Sequence, residues 1–244
     1  MKKMLHIHTI LAFALLLMLS PTSAFAYGNS IFLGGTSSNY STSPIQYVQG
    51  ARATITTPST FPYAISGQMS TVWVAVVNSS NGALAQMGFA SEPSVTSVNP
   101  HYFFVVVNPA NPPGSQYSEI TGLTGPSTSS TQTFSVVKES GTWKGYRSGS
   151  TVFFAGTSVT ISPNSTQYYN ETYDDSPVWF GTSSSKLKFA NVQYWDGSAS
   201  ASDTSKWIWK KPNIPSSNFI NEGTGTSIDT SSWSSDSTWY SWRY

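Results

Sequence analysis

The sequence predicts an all-β protein built as a two-sheet antiparallel β-sandwich or jelly roll. Short blocks of alternating apolar and polar residues recur along the chain, separated by clusters of Gly, Pro, Ser and Asn. Aromatic residues make up 14% of the chain, and β-branched residues are frequent beside them. Beyond residue 26 no segment sustains an apolar period of 3.6, so no long helix is expected. Together these features favour packed sheets.

One β-hairpin is well marked. The apolar run of residues 71–77 stops at Asn-Ser-Ser-Asn-Gly over residues 78–82, a strong turn signal, and residues 83–89 provide the return strand. Residues 101–107 are apolar at every position after the first, so we expect this strand to be buried on both faces. Further strands are expected over residues 51–56, 132–137, 142–146, 151–154, 157–161, 167–172 and 186–194.

The chain begins like an exported protein. Lys2 and Lys3 precede an apolar run over residues 10–19, and Ala-Phe-Ala at residues 24–26 is a small-x-small cleavage signal. We therefore expect residues 1–26 to be a signal peptide that is removed, and the mature protein to be secreted from a bacterial-type cell. No membrane contact is expected after cleavage.

The remaining chain divides by composition into three parts. Residues 27–45 are rich in Ser, Thr, Gly and Asn and are expected to form a flexible N-terminal segment. Residues 46–200 are expected to form the sandwich domain. Residues 201–244 are rich in Ser and Trp, which indicates a C-terminal tail packed on the sandwich. We expect the protein to be a monomer.

Composition excludes several classes of function. Charged residues make up 9% of the chain. Without Lys2 and Lys3, 10 of the 12 basic residues remain beside 11 acidic residues, which gives a net charge of −1. Neither nucleic acid nor an anionic membrane is an expected partner. The chain has no cysteine, and His101 is the only histidine after residue 26, so no metal site or other cofactor is expected. A Ser-His-Asp triad would have to use His101, whose neighbours do not support one.

Carboxylate chemistry is what remains if the protein is an enzyme. The glutamates are few: Glu92, Glu119, Glu139, Glu171 and Glu222. Glu171 differs from the others because it lies among Tyr168, Tyr169 and Tyr173, where partial burial would raise its pKa towards the range of a general acid or base. The plain alternative is a solvent-facing strand residue.

Three segments carry a resemblance to a known family. Residues 73–77 (WVAVV), a polar turn and residues 84–89 (LAQMGF) resemble the Trp-Val-Gly-Ile, turn, Leu-Gln-x-Gly pattern of the glutamic peptidases, or eqolisins. Residues 167–173 (QYYNETY) are similar to the family's Glu-Trp-Ile-Val-Glu segment, and residues 187–193 resemble the strand that follows it. Residues 50–58 also resemble the related neprosin-type domain.

The resemblance implies a concanavalin-like jelly roll and a secreted endopeptidase that cleaves protein or peptide substrates, with an acid pH expected. In the family the matching glutamine and the last glutamate are catalytic, which implies Gln86 and Glu171 here, side by side on one sheet face. Glu171 would activate a water, and the Gln86 amide would donate a hydrogen bond to the oxyanion, without metal or covalent intermediate. The substrate contacts expected with them are Trp73, Phe104, Tyr168 and Tyr169.

Two other functions remain open from the sequence. Thirteen Tyr and nine Trp in a low-charge sandwich are also typical of a carbohydrate-binding face, although most such rings are expected in the core. A catalytically inactive extracellular or cell-surface structural protein would equally suit the Ser/Thr-rich surface and the Trp-containing tail.

Overall fold

A computed structural model describes residues 30–37, 48–61, 69–91, 100–109, 117–148, 151–157, 159–173, 179–200 and 203–244. The predicted signal peptide, residues 1–26, lies outside these residues. Among the residues described, no helix is long and apolar enough to cross a membrane.

Two antiparallel sheets, called sheet A and sheet B, form the body of the molecule. Sheet A has the strand order β14-β1-β10-β3-β4-β5-β6 and sheet B the order β15-β16-β11-β2-β7-β8-β9. The strands of sheet A are β1 (Ser30–Thr36), β3 (Ser70–Val77), β4 (Leu84–Ser91), β5 (His101–Val107), β6 (Tyr117–Thr124), β10 (Ser165–Tyr173) and β14 (Phe219–Asn221). Those of sheet B are β2 (Gly50–Thr56), β7 (Thr131–Glu139), β8 (Thr142–Arg147), β9 (Thr151–Thr157), β11 (Leu187–Trp195), β15 (Thr226–Asp229) and β16 (Trp239–Arg243).

Three short elements complete the described part of the chain. A small hairpin joins β12 (Ala199–Ser200) to β13 (Asp203–Trp207), a 3₁₀ turn covers Ser216–Asn218, and one helical turn, α1, covers Trp233–Asp236. The prediction of an antiparallel two-sheet β-sandwich is confirmed.

The main core lies between the sheets and follows the alternation of the strands. Val72, Val74 and Val76 of β3 point from sheet A towards sheet B, whereas the intervening Trp73 and Ala75 belong to the opposite face. The inner face is completed by large side chains from both sheets, including Phe89, Phe104, Phe134, Phe154, Phe189 and Trp239. This parity decides which residues of each strand can reach a ligand on the outer face of sheet A.

One close approach in this core depends on a glycine. A Cβ atom at Gly145 of β8 would lie 2.9 Å from Met87 Sδ and 2.8 Å from a ring carbon of Phe154. The missing side chain on sheet B therefore makes room for the long Met87 side chain of sheet A.

Two segments predicted to lie outside the sandwich domain contribute strands to it. Of residues 27–45, predicted to be flexible, the structure describes residues 30–37, and there β1 (Ser30–Thr36) pairs along its length with β10 and also with β14. The other residues of this segment lie outside the described part of the chain. Residues 201–244 were expected to pack on the outside as a tail, but they supply β14 to sheet A and β15 and β16 to sheet B. These strands are three to seven residues long, so their alternation was too short to separate them from a low-complexity background.

An ion pair fastens the chain that leads into this C-terminal region. Lys210 Nζ lies 2.5 Å from Asp196 Oδ2, and two backbone hydrogen bonds of 2.8 Å join Lys210 to Tyr194. Burial alone would raise the pKa of Asp196, but hydrogen bonds from Lys210 and Ser198 outweigh burial and lower it. The carboxylate is therefore more stable in the folded chain than in the unfolded chain.

Asp196→Asn should lower the free energy of unfolding by about 1 kcal/mol near neutral pH. Because the folded pKa is depressed, this contribution is present above the unfolded pKa of about 3.9 and disappears as pH falls through the folded value. Denaturant unfolding of both proteins at neutral pH and at about pH 2 checks this. A difference that stays constant between the two pH values would contradict it.

Candidate active site

The outer face of sheet A brings together most of the residues that the sequence marks for chemistry. On this face the register aligns β10, β3 and β4 in three rows. The rows are Gln167–Ala75–Gln86, Tyr169–Trp73–Gly88 and Glu171–Thr71–Ala90. Gln86 and Glu171, the predicted catalytic pair, therefore share one face of one sheet.

Glu171 is held by two donors from the neighbouring strand. Its Oε2 atom accepts hydrogen bonds from Thr71 Oγ1 at 2.9 Å and from Trp73 Nε1 at 2.8 Å. Both donors belong to β3, so the carboxylate leans across β3 towards the side on which Gln86 lies. Glu171 is 8% exposed, and hydrogen bonds to a sheltered carboxylate are stronger than those in water.

Trp73 is in turn fixed by an aromatic contact. The Tyr169 ring packs edge-on against Trp73 with centroids 5.1 Å apart, and the Phe32 ring lies 5.2 Å from Tyr169 on the other side. The Tyr169 hydroxyl forms a hydrogen bond with Thr36 Oγ1. Burial raises the pKa of Tyr169 to about 12, helped by the nearby carboxylates of Glu222 and Glu171. Tyr169 therefore stays neutral at any pH at which the site would work.

A glycine stands beside Trp73 on β4. A Cβ atom at Gly88 would lie 1.9 Å from the Val72 carbonyl oxygen, closer than two atoms can approach without a bond. Only glycine fits at this approach of β3 and β4. As a result, β4 places no side chain between the row of Gln86 and the row of Thr71.

Gln86 faces Glu171 diagonally and is not its neighbour. The two residues are separated by two strand spacings and by four positions along the strands. With about 4.8 Å between strands and about 3.3 Å per residue, their Cα atoms are roughly 16 Å apart. Each side chain reaches up to roughly 5 Å from its Cα atom. The two groups can therefore act on something placed between them, and the convergence of their side chains stays a prediction.

Two predicted substrate contacts are wrong. Tyr168 and Phe104 point into the core between the sheets and are fully buried. The Tyr168 hydroxyl donates to the Gln193 carbonyl oxygen of sheet B at 2.8 Å, and Phe104 stacks on Phe154 with centroids 5.3 Å apart. Each is one residue out of phase with the outer face, because successive side chains of a strand alternate.

The other two predicted substrate contacts, Trp73 and Tyr169, do lie on the outer face. Trp73 is 1% exposed and Tyr169 is 5% exposed, and their described contacts are with Glu171, Phe32, Thr36 and each other. The role that these contacts support directly is to position Glu171. A contact with substrate stays a prediction.

Two residues of this face were not singled out from the sequence. The sequence marks Thr71 only as part of a strand, although it supplies a hydrogen bond to Glu171. Gln167 lies four positions before Glu171 and therefore on the same face. The strand period of two was the signal that would have found both, once Glu171 had been chosen as the reference residue.

Partly exposed aromatic rings elsewhere are covered on one side by cations of the chain. Lys186 Nζ lies 3.9 Å from the Trp242 ring centroid, Arg52 lies 4.3 Å from Trp209, and Lys211 Nζ lies 4.8 Å from Trp233. Burial lowers the pKa of Arg52 to about 10. A sugar would find only the opposite face of each of these rings for stacking.

Metal-binding side chains are not gathered in the described part of the chain. Within it, no group of three or more His, Asp or Glu side chains is placed to hold a metal ion.

Comparison with known proteins adds information on the fold. No family model matches the sequence. No curated protein matches it either. Among solved structures, Scytalido-glutamic peptidase with a peptide-based transition state analog is similar over 88% of this chain and 98% of its own, with 14% identity and a TM-score of 0.50. The fold is that of a glutamic peptidase.

A second structure of the same kind is also similar. It is SCP-B, a member of the Eqolisin family of peptidases, in a complex with the tripeptide Ala-Ile-His. It has 14% identity and a TM-score of 0.47 over 88% of this chain and 98% of its own.

Proposed function

We propose that the protein is a secreted glutamic-type endopeptidase that hydrolyses peptide bonds at acid pH. The observation that carries the proposal is the carboxylate of Glu171, which Trp73 and Thr71 hold over β3 on the face that also bears Gln86. A nearly buried carboxylate with two fixed donors in a sheet of this fold is suited to general acid–base work.

In the proposed reaction the substrate carbonyl lies between the two groups. Glu171 removes a proton from a water molecule, and the water oxygen forms a bond to the carbonyl carbon. The Gln86 amide N–H donates a hydrogen bond to the oxygen that becomes negative. The protonated Glu171 then gives its proton to the leaving nitrogen as the C–N bond breaks, which regenerates the carboxylate and releases an acid and an amine.

The surroundings of Glu171 suit this cycle. Trp73 and Thr71 donate hydrogen bonds but carry no charge, and Tyr169 stays neutral because its pKa is raised to about 12. These three side chains orient the carboxylate and carry no positive charge of their own. Gln86 is likewise neutral at every pH, so its hydrogen bond does not depend on titration.

The proposal predicts cleavage of an unfolded protein substrate at about pH 3 to 4, where carboxylic acids titrate. The assay uses protein collected from the medium, whose N-terminus is expected at Tyr27, and identifies the fragments by mass spectrometry. Gln86→Ala should reduce kcat/KM by about 10²-fold or more, because an oxyanion donor is lost.

Glu139→Gln is the matched control, because it replaces a glutamate by glutamine outside the candidate site. Glu139 lies on sheet B, where it pairs with Lys144 at 2.7 Å, so its replacement should leave cleavage unchanged. Full activity of folded Gln86→Ala, or an absence of cleavage by wild type at every acid pH tested, would refute the proposed function.

A further inference from the structure

Gln167 presents a polar atom that the described part of the chain leaves without a partner. The residue is 7% exposed, and its Oε1 atom is buried with no hydrogen bond. Buried side-chain carbonyls are nearly always paired in folded proteins, so an unpaired one on the face of the candidate site calls for a specific explanation, such as a catalytic or binding role. An acceptor in need of a donor points to a ligand with an N–H or O–H group.

The position of Gln167 specifies which part of a ligand it would meet. Gln167 and Gln86 face the same residue, Ala75 of β3, from opposite sides. Their Cα atoms are thus two strand spacings apart, roughly 9.6 Å. Ala75 is fully buried and contributes only a methyl group between the two amides.

Side chains that project in parallel from the sheet keep their carboxamides about as far apart as their Cα atoms, which leaves room for one peptide group held from both sides. In a trans peptide the carbonyl oxygen and the amide nitrogen point in opposite directions and lie about 2.3 Å apart. Adding two hydrogen bonds of about 2.9 Å gives a span of about 8 Å. Two parallel carboxamides on β10 and β4 are spaced to hold such a group, one as acceptor and the other as donor.

We propose that Gln167 Oε1 accepts the N–H of the substrate peptide group whose carbonyl oxygen accepts from Gln86. This inference rests on the proposed function and deepens it. Gln167 then fixes the direction in which the substrate lies across the sheet, with the amide nitrogen towards β10 and the carbonyl oxygen towards β4. Glu171 lies four residues further along β10, so the amide nitrogen points towards the strand that carries the proposed proton donor.

A consequence for specificity follows. A bond to a proline nitrogen offers no N–H, so it would leave Gln167 Oε1 unpaired in the complex. Peptide bonds followed by proline are therefore disfavoured as substrates, and an N-methylated bond is disfavoured in the same way.

Peptide binding, measured by titration calorimetry in a variant that should not cleave, tests the inference. The host is the Glu171→Gln protein, and the probes are a peptide cut by wild type and the same peptide N-methylated at the cleaved bond. With Gln167 present, N-methylation should weaken binding about 10-fold, the worth of one sheltered hydrogen bond. When Gln167→Leu is introduced into this host, the two peptides should bind equally, because leucine has nearly the same shape as glutamine but no acceptor. Gln167→Glu should restore the discrimination, because its carboxylate is an acceptor.

The free protein gives an independent readout. Gln167→Leu should raise the melting temperature, since it removes a buried atom without a partner, while it weakens peptide binding. A lower melting temperature together with unchanged discrimination between the two peptides would overturn the inference and show a merely structural glutamine. If Glu171→Gln cuts the peptide as fast as wild type while the discrimination still depends on Gln167, the inference stands and only the proposed catalytic role of Glu171 is refuted.

Discussion

Glu171→Gln should reduce kcat/KM for peptide cleavage by about 10³-fold or more while the protein remains folded. Glutamine has the shape of glutamate, and its side-chain oxygen can still accept the hydrogen bonds that Thr71 Oγ1 and Trp73 Nε1 donate to Glu171. What it lacks is the ability to take a proton from water and return it to the leaving nitrogen. The loss should therefore appear in kcat.

Two comparisons make this result specific. The melting temperature of Glu171→Gln should stay within a few degrees of wild type, which excludes unfolding as the cause of lost activity. Trp73→Phe should give an intermediate loss, because it removes one hydrogen bond that orients the carboxylate but keeps an aromatic ring against Tyr169. Glu171→Gln with wild-type kcat would show that the proton is handled elsewhere.

Trp239→Ala should lower the free energy of unfolding by about 3–5 kcal/mol. Trp239 is fully buried, and its ring stacks on Phe189 with centroids 4.1 Å apart and an angle of 8° between the planes. It comes from the last strand of the chain, which pairs with β11 of sheet B. The substitution would leave a large cavity between the sheets, which denaturant unfolding would measure.

Trp242→Ala is the matched control for that substitution. Trp242 belongs to the same strand but to its opposite face, where it is only partly buried and is covered by Lys186. Its loss should cost much less than the loss of Trp239. Equal costs for the two tryptophans would contradict the integration of the C-terminal region into the core.

The local elements of the fold could be predicted from the sequence because their signals are short in range. The turn at residues 78–82 joins β3 to β4 as expected, and residues 101–107 form β5, which is buried along its whole length. The choice of Glu171 rested on its aromatic neighbours, and the structure places it on the same face as Gln86.

The face of each aromatic residue was harder to predict. In β5 every residue is buried, so the alternation that separates an inner from an outer side chain is missing around Phe104. Tyr168 and Tyr169 are adjacent and equally aromatic, and only the pairing of β10 with β3 decides which of them faces Trp73. That pairing joins residues about one hundred positions apart, which no local pattern encodes.

The central claim is that Gln86 and Glu171 act on one peptide group across β3, and kinetics of the two single variants and the double variant test it most directly. With an unfolded protein as substrate at about pH 3 to 4, Gln86→Ala with Glu171→Gln should lose no more activity than Glu171→Gln alone. Groups that serve one transition state are strongly non-additive. Losses that multiply in the double variant, or cleavage that survives both changes, would contradict the claim.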